Sequence, residues 1–90
     1  MEMNRVLELA LATYGFDMQR LVAIEEMSEL IKELVKEKRG ADNLEHIIEE
    51  IADVEIMLAQ LKMYYGIKED VQYEVNEKVV RLAGRLGVTI

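Results

Sequence analysis

Cysteine, proline and tryptophan are missing from this 90-residue sequence, and histidine and phenylalanine occur once each. Without Cys, neither a disulfide nor a thiolate-bound zinc can staple so short a chain, so packing or self-association must hold it together. Without Pro, nothing kinks a helix from within, which leaves the five Gly as the only strong breakers. Cations are scarce as well. Eleven Lys and Arg against 18 Asp and Glu give a net charge of −7, which repels phosphate polymers and anionic lipid surfaces, so neither a nucleic-acid polymer nor a membrane is an expected partner. No apolar run approaches the roughly 18 residues that span a bilayer. The opening residues Met1-Glu2-Met3-Asn4-Arg5 lack a basic region followed by an apolar block, so no signal peptide is read and the expected location is cytoplasmic.

What the chain does have is a hydrophobic content of 51%, too high for disorder and suited to long helices. Glycines at Tyr14-Gly15-Phe16-Asp17, Arg39-Gly40-Ala41-Asp42-Asn43 and Tyr65-Gly66-Ile67 divide it into four helical stretches. The first runs roughly from Asn4 to Thr13. An Asp17 N-cap opens the second, which reaches about Lys38 with Lys36, Lys38 and Arg39 where cations suit the dipole. Asp42-Asn43-Leu44-Glu45 has the spacing of a capping box and starts a third helix that lasts to about Tyr65. The fourth spans about Lys68 to Leu86 and ends near Gly84 or Gly87. The expected fold is therefore all-α, a single bundle-forming domain of four helices over residues 1–90.

Projected at about 100° per residue, the second helix gathers Ile24, Met27, Ile31, Leu34 and Val35 on one side and Glu25, Glu26, Glu29 and Glu33 on the other. A solvated acidic face with Lys partners explains that pattern without any function. The third helix is harder to explain that way. Ile47, Ile51, Val54, Leu58, Leu61 and Tyr65 form one apolar face and Ile48, Ala52, Ile56, Ala59 and Met63 a second, as in a helix that is central or lies at a subunit interface. A narrow polar stripe remains, made of His46, Glu49, Glu50, Asp53 and Gln60. Carboxylates crowded between buried walls need a cation or raised pKa values. A short loop makes the two helices antiparallel neighbours, so Glu26 and Glu29 can face Glu50 and Asp53, each pair being about 4.5 Å apart along its axis. Four oxygen donors with no thiolate favour Mg²⁺, with Mn²⁺ able to substitute, over Zn²⁺. Mg²⁺ completes its shell with substrate phosphates, which points to a phosphate ester or anhydride.

Glu25-Glu26-Met27-Ser28-Glu29-Leu30 followed by Glu50-Ile51-Ala52-Asp53 resembles the EExxE…ExxD signature of the MazG-like, all-α nucleoside triphosphate pyrophosphohydrolases. The likeness covers roughly residues 19 to 65 and continues at Asn76-Glu77-Lys78-Val79-Val80-Arg81, similar to the Asn-x-Lys-x-x-Arg stretch of MazG proteins. The resemblance implies cleavage of a nucleoside triphosphate between its α- and β-phosphates to give a monophosphate and pyrophosphate. It places Glu26, Glu29, Glu50 and Asp53 at the metal-ligand positions. Glu25, which matches the leading Glu of the motif, and Glu49 become candidates for positioning or deprotonating the attacking water. It also implies a homo-oligomer, a dimer or a dimer-based tetramer. On the fourth helix Val71, Val75, Val79, Leu82 and Leu86 make the packing face, and Lys78, Arg81 and Arg85 line one flank. Lys78 and Arg81 are placed to hold the triphosphate or simply to snorkel beside the core. Asn76 projects toward the opposite flank, as a candidate substrate contact. His46 reads as a polar surface residue, the tyrosines and Phe16 as packing residues able to stack on a base. Two alternatives stay open: a phosphoribosyl-ATP pyrophosphohydrolase-like enzyme, and a non-enzymatic helical interaction module that keeps its carboxylates solvated.

Overall fold

The computed structural model describes residues 2–89. Its four helices are α1 (Met3–Tyr14), α2 (Phe16–Lys38), α3 (Leu44–Tyr65) and α4 (Lys68–Leu86), within a residue or two of the boundaries that the glycines predict. Gly66 and Gly87 show why: both adopt the left-handed conformation, at φ 67° and 71°, which an L side chain disfavours. In each case the residue beyond reaches back to close the helix. Ile67 N donates to Lys62 O at 3.0 Å and Val88 N to Ala83 O at 2.9 Å, the bond that satisfies a terminal carbonyl.

Two helix starts differ from expectation. Asp17 does not cap α2, whose N-cap is Gly15; Asp17 lies inside the first turn and pairs with Arg20 at 2.8 Å. The capping box at the start of α3 is not made either. Asn43 occupies the N-cap without a side-chain cap bond, because its amide is drawn across to α2. Its Nδ2 donates to the Glu33 main-chain oxygen at 3.0 Å and to Glu33 Oε1 at 2.8 Å. The amide nitrogen is thus spent on a charged tertiary partner, and Oδ1, the atom a cap would use, stays buried without a partner.

α2 and α3 form an antiparallel hairpin, with Glu33 beside Asn43 at the loop end and Phe16 stacked on Tyr64 at the other, ring centroids 3.6 Å apart. Arg20 sits over the Phe16 ring, 5.0 Å from its centroid. α1 packs against both members of the hairpin, whereas α4 packs against α3 alone. The buried apolar residues are Leu7, Ala23, Ile47, Met57 and Ala83, a thin core for four helices.

The orientation of α2 is the main departure from the wheel reading. Ile24, Ile31, Leu34 and Val35 face outward, and it is Ala23 and Glu33 that are buried, with Glu26 and Leu30 half-buried between them. On α3 the inward positions are Ile47, Glu50, Asp53, Val54, Met57, Gln60 and Leu61, while Ile48, Ile51 and Ile56 look out. The hairpin thus turns a polar seam inward and leaves apolar rows outside. Among the described residues no helix is long and apolar enough to cross a membrane.

Candidate metal centre

The α2–α3 seam is where the acids meet. One carboxylate oxygen from each of Glu26, Glu50 and Asp53 lies within 4.8 Å of the others, and all three residues are half-buried. Glu26 comes from the middle of α2, and the other two come from the same edge of α3, three residues apart, which places them one above the other. The Oε2 atom of Glu50 is buried and has no hydrogen-bond partner. An anionic oxygen in that state is costly unless a donor or a cation reaches it.

The electrostatics report the same strain. A hydrogen bond with the Asp53 carboxyl, helped by burial and by the charges of Asp53, Glu50 and Glu29, pushes Glu26 from 4.5 up to about 7. Glu50 is also raised, first by burial and then by the negative charges of Asp53, Glu29, Glu33 and Glu49. Every charge in those two lists is an acid. Near neutral pH Glu26 therefore gives up part of its negative charge by binding a proton, and a divalent ion would compete with that proton. The donors are hard oxygens with no sulfur or imidazole among them, the set that suits Mg²⁺ or Mn²⁺.

Glu29, the fourth expected ligand, is exposed and outside the tight trio, although its charge is felt by both Glu26 and Glu50. Glu25 and Glu49 are exposed on the hairpin, and Glu49 contributes to the field at Glu50. Lys78, Arg81 and Asn76 are exposed on α4. Nowhere do the backbones of α2 and α4 come within 8 Å of each other, and Asn76 is occupied locally, accepting from Gln72 Nε2 at 3.0 Å. The chain therefore brings acidic positions of α2 and α3 together, while α4 makes no backbone approach to α2.

Two polar residues of the seam, Glu33 on the acidic face of α2 and Gln60 on the polar stripe of α3, are given no role by the sequence. Glu33 is 7% exposed; the Asn43 amide holds its carboxyl below the usual carboxylate range, with Lys36 adding to the effect at 3.3 Å. Gln60 is 3% exposed; its Nε2 donates to Leu7 O at 3.3 Å while its Oε1 stays buried without a partner. A signal was present: Glu33 follows Glu26, and Gln60 follows Asp53, by two helical turns, the spacing that repeats a face.

Comparison of the chain with protein-family models, with curated proteins and with solved structures finds no match. The resemblance to MazG-like proteins therefore rests on the residues themselves.

Proposed function

We propose that the chain is a Mg²⁺-dependent nucleoside triphosphate pyrophosphohydrolase of MazG-like type, acting as a homo-oligomer on the α–β phosphoanhydride. The observation that carries this reading is the convergence of Glu26, Glu50 and Asp53 at the seam of two helices, with one buried carboxylate oxygen unpartnered. A helical module built only for association has no use for charge turned inward, since solvent would accept those carboxylates at no cost. Glu26, Glu50 and Asp53, with Glu29 at the rim, would hold the metal. The ion supplies charge neutralisation for the phosphates and a more acidic bound water. Glu25 and Glu49, on the hairpin beside the ligands, would position an attacking water or take its proton. Glu33, fixed by Asn43 and Lys36, keeps the loop end of the hairpin closed so that the seam retains its register.

Self-association is supported by area. The chain exposes 7315 Å², against about 5400 Å² for a folded monomer of 10.4 kDa. That excess of about 1900 Å² is more than twice the roughly 800 Å² that each partner buries in a standard interface.

The test is product analysis over a panel of ribo- and deoxynucleoside triphosphates, with phosphoribosyl-ATP included, in the presence of Mg²⁺. Pyrophosphate and a monophosphate are expected, with activity lost in Glu50→Gln and Asp53→Asn. Release of orthophosphate, or activity unchanged by chelator, refutes the assignment.

A further inference from the structure

The second apolar face of α3 is uncovered along most of its length and then meets a cleft. Ile48, Ala52 and Ile56 are exposed, whereas Ala59 and Met63, further along the same row, are half-buried. They line a cleft of about 390 Å³ between α1, the last turns of α3 and the start of α4, and Met3 is the third apolar residue of its lining. Small-molecule sites occupy about 300–1,000 Å³. The backbone leaves this space open: α1 and α4 each pack on α3, yet nowhere do they come within 8 Å of each other. The bond from Gln60 Nε2 to Leu7 O ties α1 to α3 here, Leu7 being about one turn from Met3 and Gln60 about one turn from Met63.

The polar lining is cationic on balance. Lys62 and Lys68 stand there against Glu8, with Asn4 beside them, in a chain whose net charge is −7. Neither lysine forms an ion pair among the described residues, where the pairs are Arg20 with Asp17 and Lys36 with Glu33. Lys62 lies in the last turn of α3, and the dipole alone accounts for a cation there. Lys68 has no such account. It is the first residue of α4, the end of a helix at which a positive charge is unfavourable, and it brings a second ammonium to the cleft that already holds Lys62. Two like charges sharing one cleft are eased by an anion between them. With Met3, Ala59 and Met63 around them, the group that complements this lining has a negative head and an apolar body. Glu8 limits the head: two cations against one acid leave a single positive charge, which suits a monoanion and disfavours a polyphosphate.

We propose that the cleft between α1, α3 and α4 binds a small amphipathic monocarboxylate, a single carboxylate on a short aliphatic chain. The head lies between Lys62 and Lys68, with the Asn4 amide as a third donor. The chain lies along Ala59 and the two methionines, whose unbranched side chains adapt to its shape. Touching three helices at once, the ligand joins α1 to α4, which do not meet otherwise. The cleft is separate from the acidic seam. On the wheel Lys62 falls opposite Asp53, and Ala59 and Met63 lie about 9 and 15 Å along α3 from it. The proposal therefore depends on neither the metal nor the triphosphate.

The test is a titration of the full chain, isotopically labelled at its methionine methyl groups, with octanoate followed by NMR. Met3 and Met63 line the cleft, whereas Met18 is exposed and Met57 is buried elsewhere, so the methyls separate binding in the cleft from adsorption on the apolar rows. Saturable shifts of Met3 and Met63 are expected, with Met18 and Met57 unmoved. A Lys62→Gln/Lys68→Gln chain should bind at least about tenfold more weakly. Because neither lysine has an ion-pair partner in the chain, that variant should keep the wild-type helix content and the wild-type Met57 signal. Acetate, which is the head without the body, and octyltrimethylammonium, which is the body with the opposite charge, should leave Met3 and Met63 unmoved where octanoate saturates them. The proposal is overturned by an absence of saturable shifts at Met3 and Met63, by equal shifts at Met18, by a double variant that binds octanoate as well as the wild type, or by an ammonium ligand that binds as well as octanoate. A chain that binds octanoate in this way and hydrolyses no triphosphate keeps the cleft and loses only the pyrophosphohydrolase reading.

Discussion

Replacing Glu26 with Gln should make the metal-free chain more stable and the metal-binding chain less so. In the folded state Glu26 is raised from 4.5 to about 7 by its hydrogen bond with Asp53, by burial and by the acids around it. A carboxyl whose folded pKa lies above its unfolded value binds more protons when folded, so stability falls as pH rises between the two values. The metal-free protein should therefore be most stable near pH 5 and lose stability steadily toward pH 7 and above. A shift of this size corresponds to about 3 kcal/mol at most, and solvent screening at a half-buried site reduces it to about 1–2 kcal/mol. For a domain of this size that is roughly 5–10 °C in Tm. Gln at position 26 is close in shape and has no charge to suppress, so in chelator at pH 8 it should recover most of that difference. It also removes a ligand, and the stabilisation that Mg²⁺ adds to the wild type by binding only the folded state should shrink with it. The assay is thermal unfolding followed by circular dichroism from pH 5 to 8, with chelator and with Mg²⁺. A flat or rising Tm between pH 5 and 7 in chelator, or a Glu26→Gln chain less stable than wild type at pH 8 without metal, refutes the reasoning that joins the trio to its cation.

Other consequences follow from single contacts. Asn43→Ala strips the Glu33 carboxylate of its 2.8 Å donor and should lower the Tm by about 5 °C. Because the folded pKa of Glu33 is depressed, the stability it contributes is present at neutral pH and lost as pH falls through that lowered value, so wild type and Asn43→Ala should converge in acid. Gln60→Met keeps the side-chain shape, gives up one long bond to Leu7 O and removes a buried oxygen with no partner; chemical denaturation should show the variant more stable by about 1 kcal/mol. Gly66→Ala meets no atom within 4 Å, so its cost of about 1–2 kcal/mol should come wholly from forcing an L residue to φ 67°.

The helices were legible because their punctuation is local. Of the glycines that predict an end, Gly15, Gly40, Gly66 and Gly87 take a positive φ just past or between helices, a choice that depends on the residue itself, whereas Gly84 continues inside α4. The two starts that were misread depend on something else. Asp42-Asn43-Leu44-Glu45 has a capping-box pattern, but the Asn43 amide is oriented by Glu33, ten residues earlier, and no local rule contains that partner. The convergence of Glu26 with Glu50 and Asp53 was legible for an intermediate reason: it needed only the i, i+3 spacing on α3 and the antiparallel turn enforced by a short loop.

Which side of α2 faces inward was the least legible feature, and the cause is physical. A wheel sorts apolar from acidic positions but cannot say whether an apolar row packs within the chain or against another copy, since both bury the same surface. Ile31, 63% exposed, and Glu33, 7% exposed, invert the usual assignment while standing two residues apart. An acid can take the inner position only if its charge is answered there, by Asn43 and Lys36 for Glu33 and, on the reading given above, by a divalent ion for Glu26. An isoleucine can be left outside only if a second surface covers it. On the proposed reading, the inverted helix ties the metal to the self-association. A chain that keeps its carboxylates in the seam must place its aliphatic rows elsewhere, and in the homo-oligomer proposed above those rows are the surface that a second copy covers.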